Sequence, residues 1–139
     1  MIFMKGANME KRELNNNMFS EPIGAYSNGL SVPIGDKQLI VLTGQVAIDG
    51  EGKVVGENDI GVQTEYVFKK INALLEEAGA SIDNIIRVVI YLVDMEDFAK
   101  VSPIRNKYLK KSRPVSTLVE VNKLTIPECR IEIEATAIL

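Results

Sequence analysis

Histidine is absent from this 139-residue chain, and cysteine occurs only once, at Cys129. Without histidine there is no Ser-His or Cys-His catalytic pair and no histidine general base. One cysteine cannot form an intramolecular disulfide, and a single thiol with carboxylates is a poor ligand set for zinc. These absences favour a protein without a metal or cofactor, in a reducing compartment such as the cytoplasm.

Long apolar runs and an excess of basic charge are missing as well. No apolar stretch approaches the roughly 20 residues that a membrane span requires, and charges from Lys5 to Glu13 interrupt any secretory signal. The net charge is −3 and the lysines are spread along the chain. This balance argues against a nucleic-acid binder, which needs a basic face to displace counterions. The sequence therefore indicates neither a membrane nor a nucleic acid as partner.

The chain has enough apolar residues, 46%, for one hydrophobic core in a single domain of ordinary size. Residues 1–19 contain Asn15-Asn16-Asn17 and mixed charges without sustained periodicity. We therefore predict a mobile N-terminal extension over residues 1–19 and a single domain over residues 20–139.

The first half of the domain predicts two antiparallel strands and an amphipathic helix. Residues 25–32 and 38–43 are β-prone and flank a turn sequence. Asn58-Asp59 provides a helix N-cap, apolar residues then recur at helical spacing, and Gly79 ends the pattern. Most charged residues of this helix, including Lys70, are predicted on its other face.

The second half predicts three strands and another helix. Residues 85–93 are apolar nearly throughout, which is typical of a strand covered on both faces. Asp94 caps the second helix, and Ser102-Pro103 predicts a fresh helix start, since proline disrupts a helix interior. Residues 115–121 and 130–138 are the last strands. This order indicates an α+β fold, a mixed or antiparallel sheet with two helices on one face. The other face is either solvated or a subunit interface, and the apolar strand at 85–93 favours an interface.

Short motifs along residues 22–139 are similar, in order and nearly in spacing, to those of one known family. Residues 23–28 (IGAYSN) resemble the motif IGPYSQA, and residues 42–46 (LTGQV) are similar to a strand end with SGQ. Residues 75–81 (LEEAGAS) match LEAAGAS, while residues 93–98 and 131–135 resemble TDMxDF and IEIEA. These motifs identify a resemblance to the RidA/YjgF family, formerly the endoribonuclease L-PSP family.

The resemblance implies a chorismate-mutase-like fold in a barrel-like homotrimer, with small-molecule clefts between subunits. Active members are deaminases that hydrolyse reactive enamines and imines, such as 2-iminopropanoate and 2-iminobutanoate, without a metal or cofactor. Ribonuclease or translation-inhibitor activity has been ascribed to some members. The acidic balance and the lack of histidine argue against that activity here.

The resemblance also implies candidate site residues. Tyr26 takes the position of a tyrosine whose hydroxyl faces the cleft, and Glu132 that of a glutamate that positions the attacking water. Gly44 lies in the segment whose backbone lines the pocket. Ser116 stands where active members carry an arginine. A guanidinium holds a substrate carboxylate with two charge-assisted bonds, which one serine hydroxyl cannot reproduce.

Because this arginine is missing, the chain is either a deaminase that uses another arginine or a protein that binds a different ligand. Arg130 lies two residues before Glu132 and is the better substitute, although pairing with Glu128 or Glu132 is the plainer interpretation. Arg113 falls on the face opposite to Ser116 if the strand has already begun there. An arginine that enters the cleft would favour deaminase chemistry. Without one, the sequence predicts negligible turnover and favours a protein that binds a different small ligand.

Overall fold

A six-stranded sheet with two helices on one face makes up residues 10–139, the part of the chain described by the computed structural model. The strands are β1 (Arg12–Leu14), β2 (Gly29–Ile34), β3 (Lys37–Gln45), β4 (Ile85–Leu92), β5 (Val115–Glu120) and β6 (Ile131–Ile138). The helices are α1 (Ile60–Glu77) and α2 (Phe98–Tyr108), with 3-10 turns at Ile82–Asn84 and Met95–Asp97. The sheet order is β1-β2-β3-β6-β4-β5, and β4-β5 is the parallel pair. The predicted α+β fold is confirmed.

The strict alternation of β6 decides which face of the sheet carries the core. Ile131, Ile133 and Ala137 are fully buried beneath the helices, whereas Glu132 and Glu134 project from the opposite face. Strand β6 lies between β3 and β4 in the sheet. Its polar residues are therefore held at the centre of the sheet by neighbours on both sides.

Helix α1 begins and ends where the sequence indicates. The Asp59 side chain accepts a hydrogen bond from the Val62 amide at 3.1 Å, as expected of an N-cap. Gly79 adopts a φ of +81° just beyond the helix and donates to the Glu76 carbonyl at 3.0 Å. Glycine reaches this left-handed conformation without the steric cost of a Cβ.

Helix α2 passes through Pro103 without a break, so the predicted fresh start at Ser102-Pro103 was wrong. Asp94 caps the preceding 3-10 turn by accepting from the Glu96 amide at 2.9 Å, and this turn leads directly into α2. Pro103 and Ala99, four residues earlier, both lie on the exposed side of the helix. Because that side faces water, solvent can replace the backbone hydrogen bond that proline cannot donate.

Strand β1 corrects the prediction of a mobile extension over residues 1–19. It pairs antiparallel with β2, and Leu14 opposite Gly29 is only 1% exposed. The Arg12 guanidinium donates to the Glu77 carbonyl at 3.0 Å, and Phe19 is buried in the core. A strand of three residues is too short to show a periodicity in the sequence. Residues 1–9 lie outside the described part of the chain, so the prediction is not tested there.

The sheet face opposite the helices carries apolar side chains that no other element of residues 10–139 covers. Val41, Val115 and Val119 are 41%, 69% and 38% exposed on it, and they share this face with Glu132 and Glu134. The subunit interface expected from the sequence remains a prediction for this face. Among residues 10–139, neither helix is both long enough and apolar enough to cross a bilayer.

Candidate functional site

Glu132 occupies space that a glycine on the neighbouring strand leaves open. The pairing of β3 with β6 shifts register between Leu42 and Gln45, and Gly44 lies within this irregular stretch. A Cβ on Gly44 would overlap Oε2 of Glu132 and would lie 2.9 Å from its Cδ. The Glu132 carboxylate therefore lies against the bare backbone of β3, and any side chain at position 44 would displace it.

Glu132 and Glu134 lie on the same face of β6 but differ in whether a cationic side chain neutralises them. Glu134 accepts a hydrogen bond from the Tyr91 hydroxyl at 2.7 Å and lies 3.6 Å from the Arg87 guanidinium. Within residues 10–139, no lysine or arginine forms an ion pair with Glu132. Burial, and next the negative charge of Glu134, raise the pKa of Glu132 above its ordinary value. A partly buried carboxylate without a cationic partner among these residues is suited to hold a water and accept its proton.

A cavity of about 550 Å³ brings three of the sequence-predicted site residues together: Tyr26, Gly44 and Glu132. The loop that carries Tyr26 is tied to β3, because Thr43 donates its amide to the Asn28 carbonyl at 2.9 Å and its hydroxyl to the Ser27 carbonyl at 2.5 Å. Tyr26 is half exposed and lines the cavity. The cavity therefore combines a carboxylate, a phenol and exposed backbone.

Lys70 is part of this cavity, and the sequence did not predict it. The side chain was expected on the polar face of α1 but is only 3% exposed. Its ammonium group donates to the carbonyls of Val46 and Ile48 at 3.1 and 2.9 Å and lies 4.9 Å from the centre of the Phe19 ring. Burial lowers the pKa of Lys70 to about 8. Its spacing of three residues from Val67 and four from Leu74 was the signal that placed it on the buried stripe.

Ser116 does not line this cavity. It lines a second depression of about 510 Å³, between the C-terminal end of α2 and the start of β5. Ser116 pairs with Val88 in the parallel register of β5 and β4, which places it on the helix side at the sheet edge. In the part of the chain that the structure describes, no residue lines both cavities. One chain alone therefore does not bring Ser116 to Glu132.

Arg130 is held by Asp97 instead of lining the Glu132 cavity. Its Nε and Nη2 donate to the two carboxylate oxygens of Asp97 at 3.1 and 2.7 Å, and the Asp97 side chain is only 9% exposed. Within residues 10–139, the ion-pair partner of Arg130 is thus Asp97, rather than Glu128 or Glu132 as the sequence suggested. The role of Arg130 as a substitute ligand-binding arginine stays a prediction. Within residues 10–139, no three side chains of the metal-binding types cluster as a metal site.

A mixed sheet with two helices on one face and a carboxylate in an open cleft defines a class of small α+β cleft proteins. The model of the endoribonuclease L-PSP family matches residues 17–139. A RutC family protein of Pyrococcus abyssi is 39% identical over 117 residues, which are 84% of this chain and 88% of that protein. The chain therefore belongs to the endoribonuclease L-PSP family, the RidA/YjgF proteins.

Solved structures show the same fold. A Rid-family protein from Yersinia pestis superimposes with a TM-score of 0.81 at 30% identity, covering 92% of this chain and 98% of that one. RidA from an Antarctic Psychrobacter species superimposes with a TM-score of 0.78 at 25% identity, covering 92% and 99%. The fold implied by the sequence motifs is confirmed over nearly the whole chain.

Proposed function

We propose that this protein hydrolyses small reactive enamines and imines of the 2-iminopropanoate and 2-iminobutanoate type, releasing ammonia and a 2-oxo acid. The observation that carries the proposal is Glu132, a partly buried carboxylate with a raised pKa and no cationic partner in the described chain. It lies in a cavity that Tyr26 also lines. Membership of the Rid family supports the same reaction class.

The geometry suits addition of water to a C=N bond. The Glu132 carboxylate accepts a hydrogen bond from a water and removes its proton as the oxygen attacks the imine carbon. The Tyr26 hydroxyl gives its proton to the imine nitrogen, which becomes an amine in the tetrahedral intermediate. Glu132 then passes the water proton to that nitrogen so that ammonia leaves, and the hydroxyl proton returns to the Tyr26 phenolate as the carbon becomes the carbonyl of the 2-oxo acid. The step consumes one water and needs no redox partner.

The proposal includes a homotrimer whose clefts lie between subunits. Two observations support it: the apolar residues exposed on the open sheet face, and the separation of Ser116 from Glu132 within one chain. In a cyclic assembly, the edge of one subunit meets a different surface of the next. Such contacts would join the Ser116 depression of one subunit to the Glu132 cavity of its neighbour.

The test is the hydrolysis of 2-iminopropanoate generated in place by an amino-acid oxidase. We expect the wild-type protein to form pyruvate and ammonia faster than the spontaneous reaction of the imine, in proportion to protein concentration. A rate equal to the spontaneous one across the accessible protein concentrations would reject the proposed deaminase.

Binding of a small ligand without chemistry is the second candidate function, and Ser116 is the observation that favours it. A serine at this position offers one neutral hydroxyl, so a ligand without a carboxylate would lose little. This function predicts that no 2-imino acid is hydrolysed and that neutral ligands bind as well as their carboxylate analogues. The wild-type hydrolysis assay therefore separates the two candidates.

The acid side of the pH profile should report Glu132. Because burial and the charge of Glu134 raise the Glu132 pKa, kcat/KM should fall with decreasing pH at a higher pH than an ordinary glutamate would give. Glu134→Gln removes the neighbouring charge and should move this acid limb to lower pH. Glu57→Gln, on an exposed loop, is the matched control and should leave it in place. An acid limb unmoved by Glu134→Gln would contradict the assignment of this titration to Glu132.

A further inference from the structure

Among residues 10–139, three cationic side chains and no acidic one line the Ser116 depression. Arg105 comes from the last turns of α2, and Lys110 and Arg113 come from the loop that joins α2 to β5. Cations commonly stabilise a helix C-terminus through its dipole, which accounts for basic residues in this region. The dipole does not require that three of them line one concave surface together with a serine hydroxyl.

Neutral side chains hold the Arg105 guanidinium in place. Its Nη2 donates to the Ser102 hydroxyl at 3.2 Å, and its Nε donates to the Asn106 amide oxygen at 3.2 Å. The guanidinium carbon lies 5.8 Å from the centre of the Phe98 ring, so the ring supports one face of the group. Within residues 10–139, Arg105 forms no ion pair. A preorganised and uncompensated guanidinium is ready to bind an anion.

Arg113 is held in a conformation that arginine rarely adopts. Its φ is +47°, and its amide donates to the Leu109 carbonyl at 2.9 Å, closing the end of α2. Glycine or asparagine usually occupies this left-handed position. The following Pro114 further restricts the backbone of the residue before it. A strained arginine at the edge of a basic depression is an observation that points to a role in binding.

We propose that Arg105 and Arg113 bind the carboxylate of the ligand, replacing the single arginine whose position Ser116 occupies. Each guanidinium supplies charge-assisted hydrogen bonds, and the Ser116 hydroxyl adds a neutral one. The ligand class is a small organic carboxylate, such as a 2-oxo or 2-imino acid. That this carboxylate is a substrate or product rests on the proposed function, whereas the presence of the anion site does not.

The experiment measures pyruvate binding to the full-length protein by calorimetry. We expect Arg105→Gln and Arg113→Gln each to weaken binding by about 10-fold, and the double variant by about 100-fold. Lys111→Gln is the matched control, because it removes the same charge from a side chain that lies outside the depression, 4.0 Å from Asp83. It should change affinity by less than about 2-fold.

Arg113→Gly keeps a loss of binding from being mistaken for misfolding. Glycine relieves the left-handed backbone, so the melting temperature should stay the same or rise while pyruvate affinity falls. Unchanged binding in the double variant would overturn the proposal, and so would an equal loss in Lys111→Gln. Equal affinity for phosphate and pyruvate would also overturn it, because the depression would then bind anions without selecting carboxylates. If pyruvate binds through both arginines but imine hydrolysis is absent, the proposed function fails and this site stands.

Discussion

Replacing Glu132 by glutamine is expected to lower kcat for imine hydrolysis by about 10²- to 10⁴-fold, the usual contribution of a general acid–base group. Glutamine has nearly the same shape and can still hydrogen-bond a water, but it cannot accept the proton of that water. The space above Gly44 and the pairing of β6 are unaffected by the substitution. The measurement is the rate of pyruvate formation from 2-iminopropanoate at saturating imine, compared with wild type.

Two controls distinguish a chemical role of Glu132 from a structural one. Glu134→Gln removes a carboxylate from the same strand face and should cost less than about 10-fold in kcat, because the Glu134 oxygens are engaged by Tyr91 and Arg87. A kcat within 10-fold of wild type for Glu132→Gln would contradict the mechanism. The stability of Glu132→Gln is the second control.

The stability of Glu132→Gln should not fall at neutral pH. Burial raises the pKa of Glu132 in the folded state, so its contribution to stability is fully present below the unfolded pKa and is lost as pH rises through the folded pKa. At pH 7 the folded protein therefore carries a carboxylate that it desolvates at a cost, and glutamine removes that cost. Urea unfolding should show equal or greater stability for the variant at pH 7, and this advantage should shrink as the pH falls through the raised pKa of Glu132.

Mixed assemblies test whether the two halves of the cleft come from different subunits. Glu132→Gln subunits retain Arg105 and Arg113, whereas Arg105→Gln/Arg113→Gln subunits retain Glu132. Refolding the two variants together at equal amounts should restore about a quarter of the clefts if neighbouring subunits contribute one half each. No recovery would place both halves within one subunit or would contradict the assembly.

Local sequence patterns predict the fold well where a pattern repeats along one element. The alternation in β6 and the helical spacing in α1 led to the correct faces, and the motif resemblance led to Tyr26, Gly44 and Glu132, which the structure brings into one cavity. Strand β1 was missed because three residues cannot display a period.

Contacts between distant residues were not accessible from the sequence. Lys70 was placed on the wrong face because its charge was weighed above its spacing, and the backbone carbonyls that bind it lie more than 20 residues away. The partner of Arg130 lies 33 residues away in the chain. Position 113 illustrates the same limit: the strand begins only at Val115, so strand alternation does not apply to it. Its place beside Ser116 depends on the loop that follows α2.

Arg130→Gln is expected to destabilise the protein by about 2–3 kcal/mol while leaving kcat and KM for imine hydrolysis within about 2-fold of wild type. The substitution strands the Asp97 carboxylate, which is only 9% exposed, without its two charge-assisted hydrogen bonds. The cost falls below that of a fully buried pair because the Arg130 side chain is 33% exposed. Urea unfolding and steady-state kinetics at 25 °C would measure the two effects separately.

The double variant Arg130→Gln/Asp97→Asn tests whether the loss of stability in Arg130→Gln comes from the unpaired Asp97 carboxylate. Once both charges are removed, no buried carboxylate lacks a partner, so the double variant should be more stable than Arg130→Gln alone. The matched comparison is Arg113→Gln, which we expect to raise KM with little effect on stability. The reverse pattern, a raised KM with unchanged unfolding for Arg130→Gln, would mean that Arg130 leaves Asp97 to bind the ligand. The two arginines thus have different expected roles: Arg130 contributes to the free energy of unfolding, and Arg113 to the affinity for a carboxylate.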